Sequence, residues 1–182
     1  MPCIGILALQ GGYRAHQKKI YILGYECVLV KNFADLEKID ALVLPGGEST
    51  TMIYLLEKYH LWNLLKRKVS DIPVLATCAG LILLQKLGAL DIDIVRNGYG
   101  NQLNSKILKL TVKIADRQLT ILDGFFIRAP IVEKIHDPTV EVLSYYQKAA
   151  VLVRKDNIIG ATFHPELSDS ITLHQYFITR LR

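Results

Sequence analysis

The strongest constraint on the fold is a repeated pattern in the first half of the chain, where short apolar runs alternate with helical patterns. The apolar runs cover residues 3–10, 26–30, 41–44 and 74–77, and helical patterns follow the first, third and fourth of them. Continuous apolar runs are typical of strands buried on both faces, and strands that alternate with helices indicate a parallel sheet covered on both sides. The pattern therefore predicts an α/β fold with a mostly parallel central sheet and helices on both faces.

The second half of the chain predicts an antiparallel margin to this sheet. Runs at 107–114, 118–122, 140–144, 149–154 and 158–163 are β-rich and are joined by short turns. Residues 168–181 carry apolar side chains at helical spacing, which predicts a final helix docked on the core. Because the 182 residues contain no repeat, low-complexity tract or linker, we expect a single domain over 1–182.

Composition excludes several classes of protein. Hydrophobic residues make up 51% of the chain and charged residues 21%, which is typical of a globular protein, and no apolar run approaches the ~18 residues that span a bilayer. The net charge of +5 is spread along the chain, which disfavours nucleic acid as a partner. The three cysteines have no C-x-x-C spacing, so we expect neither a disulfide framework nor a zinc site, and a reducing, cytoplasmic setting.

Cys78 is the candidate nucleophile. It lies between the apolar run 74–77 and a helical pattern over 79–87, which is the strand–turn–helix context of a nucleophile elbow. Such a turn exposes the sulfur, the helix N-terminus favours the thiolate, and the backbone N–H of Ala79 faces a developing oxyanion. The alternative is a small buried cysteine that packs as a hydrophobic residue, which is the interpretation we adopt for Cys3 and Cys27.

His164 and Glu166 are the candidate base and its orienting group. They follow the predicted strand 158–163, and continued strand geometry would point side chains at i and i+2 the same way. The carboxylate would then fix the tautomer of the imidazole and stabilise its charged form. One His and one Glu are too few ligands for a metal site. Packed or surface positions are the expectation for the remaining histidines, His16, His60, His136 and His174.

Two further segments are candidates for ligand binding. The turn 45–50 follows a strand and leads into a helix with Ser49 as a plausible N-cap, so its N–H groups are placed to bind an oxyanion or a carboxylate. It is also compatible with a simple βα turn. Arg128, in the segment 126–130, is placed either to bind a substrate carboxylate or merely to close a strand. Residues 96–102 are compatible with a polar surface loop.

Taken together and in order, these motifs resemble one enzyme family. The motifs are Leu7-Ala8-Leu9-Gln10-Gly11, Pro45-Gly46-Gly47-Glu48-Ser49-Thr50, Thr77-Cys78-Ala79-Gly80, Arg96-Asn97, Phe126-Ile127-Arg128-Ala129-Pro130 and Phe163-His164-Pro165-Glu166-Leu167. They closely resemble the glutaminase subunits of pyridoxal 5′-phosphate synthase, within the class I glutamine amidotransferases. The resemblance extends over nearly the whole chain and implies a single-domain class I glutamine amidotransferase-like fold. One departure is Ala76, where amidotransferase elbows usually have glycine.

The resemblance implies a cysteine-dependent glutaminase. Cys78 attacks the side-chain amide of L-glutamine, His164 passes the proton to the leaving ammonia, Glu166 orients His164, and water releases glutamate from a thioester. Glutamine binding falls to Gly47, Glu48, Ser49, Arg96, Ile127 and Arg128, the oxyanion hole to Gly47 and Ala79, and coupling to the partner to Leu9, Gln10 and Gly11. No metal or cofactor is implied.

The implied partner is a synthase subunit, a (β/α)₈ barrel that uses the ammonia to make pyridoxal 5′-phosphate. Two alternatives remain at this stage. A glutaminase serving purine or histidine biosynthesis would share the elbow, although the Ile127-Arg128-Ala129-Pro130 segment disfavours it. A non-catalytic or peptidase-like relative would keep the sheet and the elbow but lack the glutamine-binding residues.

Overall fold

The chain forms an α/β structure in a computed structural model that describes residues 2–99, 105–114 and 118–181. The strands are β1 Ile4–Leu7, β2 Cys27–Val30, β3 Ala41–Leu44, β4 Val74–Thr77, β5 Ile92–Val95, β6 Ser105–Ile114, β7 Gln118–Ile127, β8 Ile131–Ile135, β9 Glu141–Tyr146, β10 Ala149–Lys155 and β11 Ile158–Ala161. The α-helices are α1 Tyr13–Ile22, α2 Phe33–Glu37, α3 Ser49–Lys58, α4 Trp62–Asp71, α5 Ala79–Lys86 and α6 Thr172–Ile178, and a 3₁₀ helix spans Pro165–Leu167.

One large mixed sheet organises the molecule. Its strand order is β2-β1-β3-β4-β11-β10-β8-β5, with β9 also paired to β10. The pairs from β2 to β11 are parallel, and the pairs made by β10 and by β8 are antiparallel. Strands β1, β3, β4 and β11 are buried along their whole length, as expected for parallel strands covered on both faces. The predicted mostly parallel sheet with an antiparallel margin is therefore confirmed.

The two faces of the sheet carry separate hydrophobic cores. Along β3, Leu42 and Leu44 pack with α2, α3, α4 and α5, whereas Ala41 and Val43 pack with α1, α6 and the β6–β7 hairpin. Successive side chains of a strand point to opposite faces, so one short apolar strand serves both cores. Each face is thus covered by helices, and the carboxyl ends of the central strands are left to carry loops.

Several predicted elements differ from the structure. Strands β6 and β7 form a two-stranded sheet of their own instead of extending the margin of the main sheet. Helices α2 and α4 and strands β5 and β8 lie where the sequence patterns assigned no element. Ser49 is wrong as an N-cap, because the helix begins at Ser49 and the capping position is Glu48, whose side chain makes no capping hydrogen bond. Ser49 is instead buried at the edge of a cleft.

None of the helices in the described ranges is long and apolar enough to cross a membrane.

Candidate active site

Cys78 lies in a strained turn at the carboxyl end of β4. Its backbone has φ 47° and ψ −107°, a left-handed conformation that costs a non-glycine residue about 1–3 kcal/mol. The Cys78 N–H donates to the carbonyl of Ala161 at 2.8 Å, so the neighbouring strand β11 holds the turn in place. Ala76 is buried in regular strand pairing with β3 and β11, and its methyl group does not prevent the elbow from forming.

Gly80 allows helix α5 to begin directly behind the elbow. A Cβ at this position would lie 2.2 Å from the carbonyl oxygen of Leu44, which is part of the β3 backbone and cannot move aside. The helix therefore passes in close contact with the end of β3. Ala79, the first residue of α5, consequently lines the same cleft as Cys78, at the helix end where the dipole favours negative charge.

His164 reaches the sulfur from the end of β11, the strand next to β4. Its N–H donates to the carbonyl of Phe125 at 2.8 Å, an isolated bridge that fastens the segment to the β6–β7 hairpin. Its Nδ1 lies 2.7 Å from Glu166 Oε1. The expected proximity of His164 and Glu166 is present, but the expected reason is wrong: β11 ends at Ala161, and the 3₁₀ helix Pro165–Leu167 turns the carboxylate back toward the ring.

The charges of this pair favour an imidazolium beside a carboxylate. Burial disfavours the charged ring of His164, but hydrogen bonding to Cys78 and Glu166 outweighs it and raises the pKa of His164 to about 10. Burial alone would raise the pKa of the Glu166 carboxyl, yet His16 and the hydrogen bond with His164 lower it. At neutral pH the imidazole is therefore held protonated, where it stabilises a thiolate and can give a proton to a leaving group.

The triad opens into a cleft that brings together most of the residues selected from the sequence. The cavity has a volume of about 230 Å³. It is smaller than the roughly 300–1,000 Å³ of pockets that take drug-sized ligands, and it suits a small metabolite. Its lining residues are Gln10, Gly47, Glu48, Ser49, Cys78, Ala79, Ile82, Arg96, Asn97, Ile127, Arg128 and His164. All six residues expected to bind glutamine are present, and Gln10, Ile82 and Asn97 extend the set.

Two arginines and one glutamate form the charged wall of the cleft. Arg96 Nη2 lies 3.8 Å from Glu48 Oε2, and Arg128 Nη2 lies 3.9 Å from Glu48 Oε1. Arg96 also donates to the hydroxyl of Thr50 at 3.0 Å. Two cations thus converge on one partly exposed carboxylate. The wall offers groups of both signs, which is what the zwitterionic end of an amino acid requires.

The turn that contains Gly46 and Gly47 lies against the triad and against the segment 9–11. A Cβ at Gly46 would lie 2.3 Å from Cε1 of His164, and a Cβ at Gly47 would lie 2.4 Å from Oε1 of Gln10. That oxygen of Gln10 accepts a hydrogen bond from the N–H of Glu48 at 2.8 Å. Of the three residues predicted to couple to a partner, Gln10 and Gly11 contact this turn, while Leu9 packs against the core.

Two buried histidines lie behind the triad and contact it, which the sequence alone does not predict. His16 and His174 were expected to be packed or surface residues, and both are fully buried. His16 Nε2 lies 3.4 Å from Glu166 Oε2, and His16 Nδ1 lies 2.9 Å from His174 Nε2. No signal in the sequence reveals this contact, because 158 residues separate the two histidines. Across the described ranges, no group of three or more His, Cys, Asp or Glu side chains is arranged to hold a metal ion.

Comparison with known proteins points to one family. The sequence matches the SNO glutamine amidotransferase family over residues 6–182. A relative from Kosmotoga olearia, named pyridoxal 5′-phosphate synthase subunit PdxT, is 44% identical over 190 residues that cover 98% of this chain and 97% of the relative. A protein of the same name from Exiguobacterium sibiricum is 41% identical over 187 residues, which cover 98% and 95% of the two chains.

Solved structures agree with this match. A crystal structure described as glutamine amidotransferase superposes with a TM-score of 0.90 at 35% sequence identity and covers 98% of both chains. PurLQS from Thermotoga maritima superposes with a TM-score of 0.75 at 17% identity and covers 100% of both chains, a likeness of fold alone.

Proposed function

The chain belongs to the SNO glutamine amidotransferase family, and from this premise we propose that it is the glutaminase subunit of a pyridoxal 5′-phosphate synthase. The curated relatives at 41–44% identity carry the name of that subunit. The reaction is the hydrolysis of L-glutamine to L-glutamate and ammonia. The observation that carries the proposal is a cysteine at a strained elbow, paired with His164 and Glu166, in a small cleft lined by two arginines.

Catalysis begins with attack of the Cys78 thiolate on the side-chain carbonyl carbon of glutamine. A carbon–sulfur bond forms and the carbonyl oxygen takes up the negative charge. The His164 imidazolium then donates its proton to the amide nitrogen, the carbon–nitrogen bond breaks, and ammonia leaves a γ-glutamyl thioester. In the second half, neutral His164 removes a proton from water, the hydroxide attacks the thioester carbon, and glutamate departs as the thiolate is restored.

Backbone donors stabilise the oxyanion in both halves of the reaction. The N–H of Ala79 lies at the N-terminus of α5, where the helix dipole favours negative charge. The peptide at Gly47 lines the same cleft and supplies the second donor. Removal of one such donor in other hydrolases lowers the rate by about 10²–10³-fold, so the position of this turn controls the rate.

The charged wall binds the amino-acid end of the substrate. Arg96 and Arg128 bind the α-carboxylate, and Glu48 binds the α-ammonium group. Glu48 is the carboxylate that both arginines face, so these three side chains carry one excess positive charge. The α-carboxylate of glutamine balances this excess charge, while Ser49 and the backbone of Ile127 complete the contact.

A second subunit receives the ammonia. In bulk water at neutral pH, ammonia is protonated and loses its nucleophilicity, so we propose direct transfer to a docked synthase subunit with a (β/α)₈ barrel. The segment Leu9, Gln10 and Gly11 transmits docking to the oxyanion turn through the bond from Glu48 N–H to Gln10 Oε1. The whole chain, 1–182, acts as one catalytic domain in the cytoplasm, without metal, cofactor or nucleic acid.

The direct test is glutamate release from glutamine by the purified chain with its synthase partner. We expect Cys78→Ala to abolish glutamate release while leaving the melting temperature and complex formation unchanged, because only the nucleophile is lost. Cys27→Ala is the matched control and retains activity, since Cys27 lies in β2 at a distance from the cleft. Normal turnover by Cys78→Ala would refute the proposal.

A further inference from the structure

A buried network of polar side chains continues inward from the triad. His16 lies on α1 and His174 on α6, and both are fully buried on the same face of the sheet. Nδ1 of His16 lies 2.9 Å from Nε2 of His174. Nε2 of His16 faces two oxygens, the Thr77 hydroxyl at 3.1 Å and Glu166 Oε2 at 3.4 Å. This polar network therefore runs from His174 to His16. From His16 it reaches both Thr77, the residue before Cys78, and the carboxylate of Glu166.

The pKa values of the two buried histidines indicate the protonation state of each ring. Burial lowers the pKa of His16; Glu166 opposes this shift and His164 reinforces it. Burial also lowers the pKa of His174 well below its usual value, and the charges of His16 and Lys19 reinforce this shift. Lys19 of α1 binds the carbonyl of Ser168 and is the cation on this side of the pair. Both histidines are thus neutral at neutral pH, and each ring carries one proton.

The neighbours of the two rings determine which nitrogen carries that proton. The Glu166 carboxylate only accepts hydrogen bonds, so the nitrogen of His16 that faces it must be an N–H. Nδ1 of the same neutral ring is then an acceptor, and His174 must donate to it from Nε2. This leaves Nδ1 of His174 as a lone pair, which agrees with that atom being buried without a partner among the described residues. One set of tautomers thus provides a donor and an acceptor for each hydrogen bond of this network.

The Glu166 carboxylate contacts this network through its second oxygen, in addition to its contact with His164. Its Oε1 receives the hydrogen bond from His164, but its Oε2 is buried and has no well-aligned donor within the described ranges. The Nε2 of His16 lies 3.1 Å from the Thr77 hydroxyl and 3.4 Å from this oxygen, so its N–H is the nearby donor that both oxygens share. A buried carboxylate oxygen without a donor is costly, so His16 acts together with His164 in keeping Glu166 charged.

We propose that His16 is a positioning residue of the catalytic triad, which holds Glu166 through its second carboxylate oxygen and holds Thr77 beside Cys78, while His174 fixes the tautomer of His16. The inference rests on the proposed glutaminase function. His16 does not line the cleft, so it acts on the rate of the chemical steps and not on glutamine binding. Its loss weakens the support that Glu166 gives to the His164 imidazolium.

Three replacements of His16 separate positioning from simple packing. His16→Gln keeps an N–H donor near the place of Nε2, whereas His16→Asn places its amide near Nδ1 and cannot reach Glu166. His16→Leu fills the space without any donor. We expect His16→Leu and His16→Asn to lower kcat about 10–100-fold, the usual cost of losing a group that orients a catalytic ligand, with KM for glutamine unchanged. His16→Gln recovers most of the lost rate.

The pH profile gives a second readout. Without the His16 donor, the pKa of Glu166 rises, so the acid limb of kcat/KM moves to higher pH in His16→Leu and returns toward the wild-type position in His16→Gln. The groups that share this titration are Glu166, His164 and His174, which act on or contact His16, and Lys19, which acts on His174. Leu173→Ala, a buried change on α6, is the control: it lowers the melting temperature but leaves the pH profile unchanged.

The assay is carried out on the full chain in complex with its synthase partner. Equal losses in His16→Gln and His16→Leu, or a wild-type rate in His16→Leu, would overturn the inference. Alkylation of Cys78 by iodoacetamide, followed by mass spectrometry of its peptide, tests the same thiolate without glutamine. If the wild type releases no glutamate but His16→Leu still slows alkylation at neutral pH, the glutaminase proposal fails and the positioning role stands. Equal alkylation of both proteins would overturn the role.

Discussion

Gly46 has no side chain, and the space that a side chain would need at this position is occupied by His164 and Cys78. A Cβ on Gly46 would lie 2.3 Å from Cε1 of His164 and 3.3 Å from Cβ of Cys78. The turn backbone therefore lies close to both Cys78 and His164. At the scale of single residues, the position of the imidazole is limited on one side by this turn and fixed on the other by its hydrogen bond to Glu166.

The replacement Gly46→Ala tests this contact. The new methyl group must displace the imidazole of His164, and a displacement of about 1 Å is enough to lower a rate about 100-fold. We expect kcat for glutamine hydrolysis to fall by that factor while the melting temperature changes little. Gly12→Ala is the matched control, because its Cβ would lie 3.5 Å from Glu166 Oε1, an ordinary contact, and we expect its kcat to be unchanged. A wild-type rate in Gly46→Ala would contradict the argument.

Local sequence predicts some of these residues and not others. Cys78 is recognisable because the strand before it and the helix after it are adjacent in sequence, and Glu166 lies two residues from His164. His16 and Thr77 are different: their roles follow from the packing of α1 against the end of β4, which no short window of sequence contains. The arginines of the cleft are intermediate, since the resemblance selects Arg96 and Arg128 but only the fold shows that they converge on Glu48.

At the scale of elements, the elbow depends on how closely α5 approaches β3. Gly80 allows this approach, and Gly80→Ala tests it by urea unfolding. Alanine improves helix propensity by about 1 kcal/mol. Overpacking against the immobile carbonyl of Leu44 costs about 1–3 kcal/mol or more. We expect the second effect to dominate and the free energy of unfolding to fall by about 1–2 kcal/mol.

The same variant should lose glutaminase activity beyond its loss of stability, because α5 begins at Ala79, the proposed oxyanion donor. An unfolding free energy equal to or above that of the wild type would show that α5 does not need this close approach. Gly12→Ala again provides the control, since it adds the same methyl group where ordinary van der Waals contact is available.

Burial explains which elements the sequence predicts. Strands β3 and β4 are fully buried and read as continuous apolar runs, and their bounds are those expected. Strands β5 and β8 lie near the edge of the sheet, and their sequences IDIV and IVEKI mix charged with apolar residues, so they show no run. The hairpin β6–β7 is predictable as a pair, but its separation from the main sheet depends on tertiary packing.

At the scale of the whole molecule, the buried histidines make stability depend on pH. The pKa of His174 is lower in the folded chain than in the unfolded chain, so below pH ~6.5 the unfolded chain binds a proton that the folded chain excludes. Stability therefore falls as the pH falls, and His16 adds to the effect. His164 acts in the other direction: its pKa is raised to about 10, so its contribution is present below pH ~6.5 and is lost as the pH rises toward 10.

The replacement His174→Leu isolates the acid side of this dependence. It removes one excluded proton, worth up to about 1.4 kcal/mol per pH unit below pH ~6. We expect the melting temperature of the variant to fall less than that of the wild type when the pH is lowered from 7 to 5. Leu173→Ala on the same helix lowers the melting temperature by an amount that does not vary with pH, because neither side chain titrates. A constant difference between His174→Leu and wild type would contradict the expectation.

The position of β11 in the sheet also determines when the protein acquires its chemistry during translation. β11 inserts between β4 and β10, and it is the last strand in chain order, so the ribosome has already released β4 with its elbow long before the segment that carries His164 emerges. The reactive sulfur thus exists in the nascent chain without its proton donor. The site therefore cannot assemble before β11 inserts beside β4 and brings the segment that carries His164 to the sulfur.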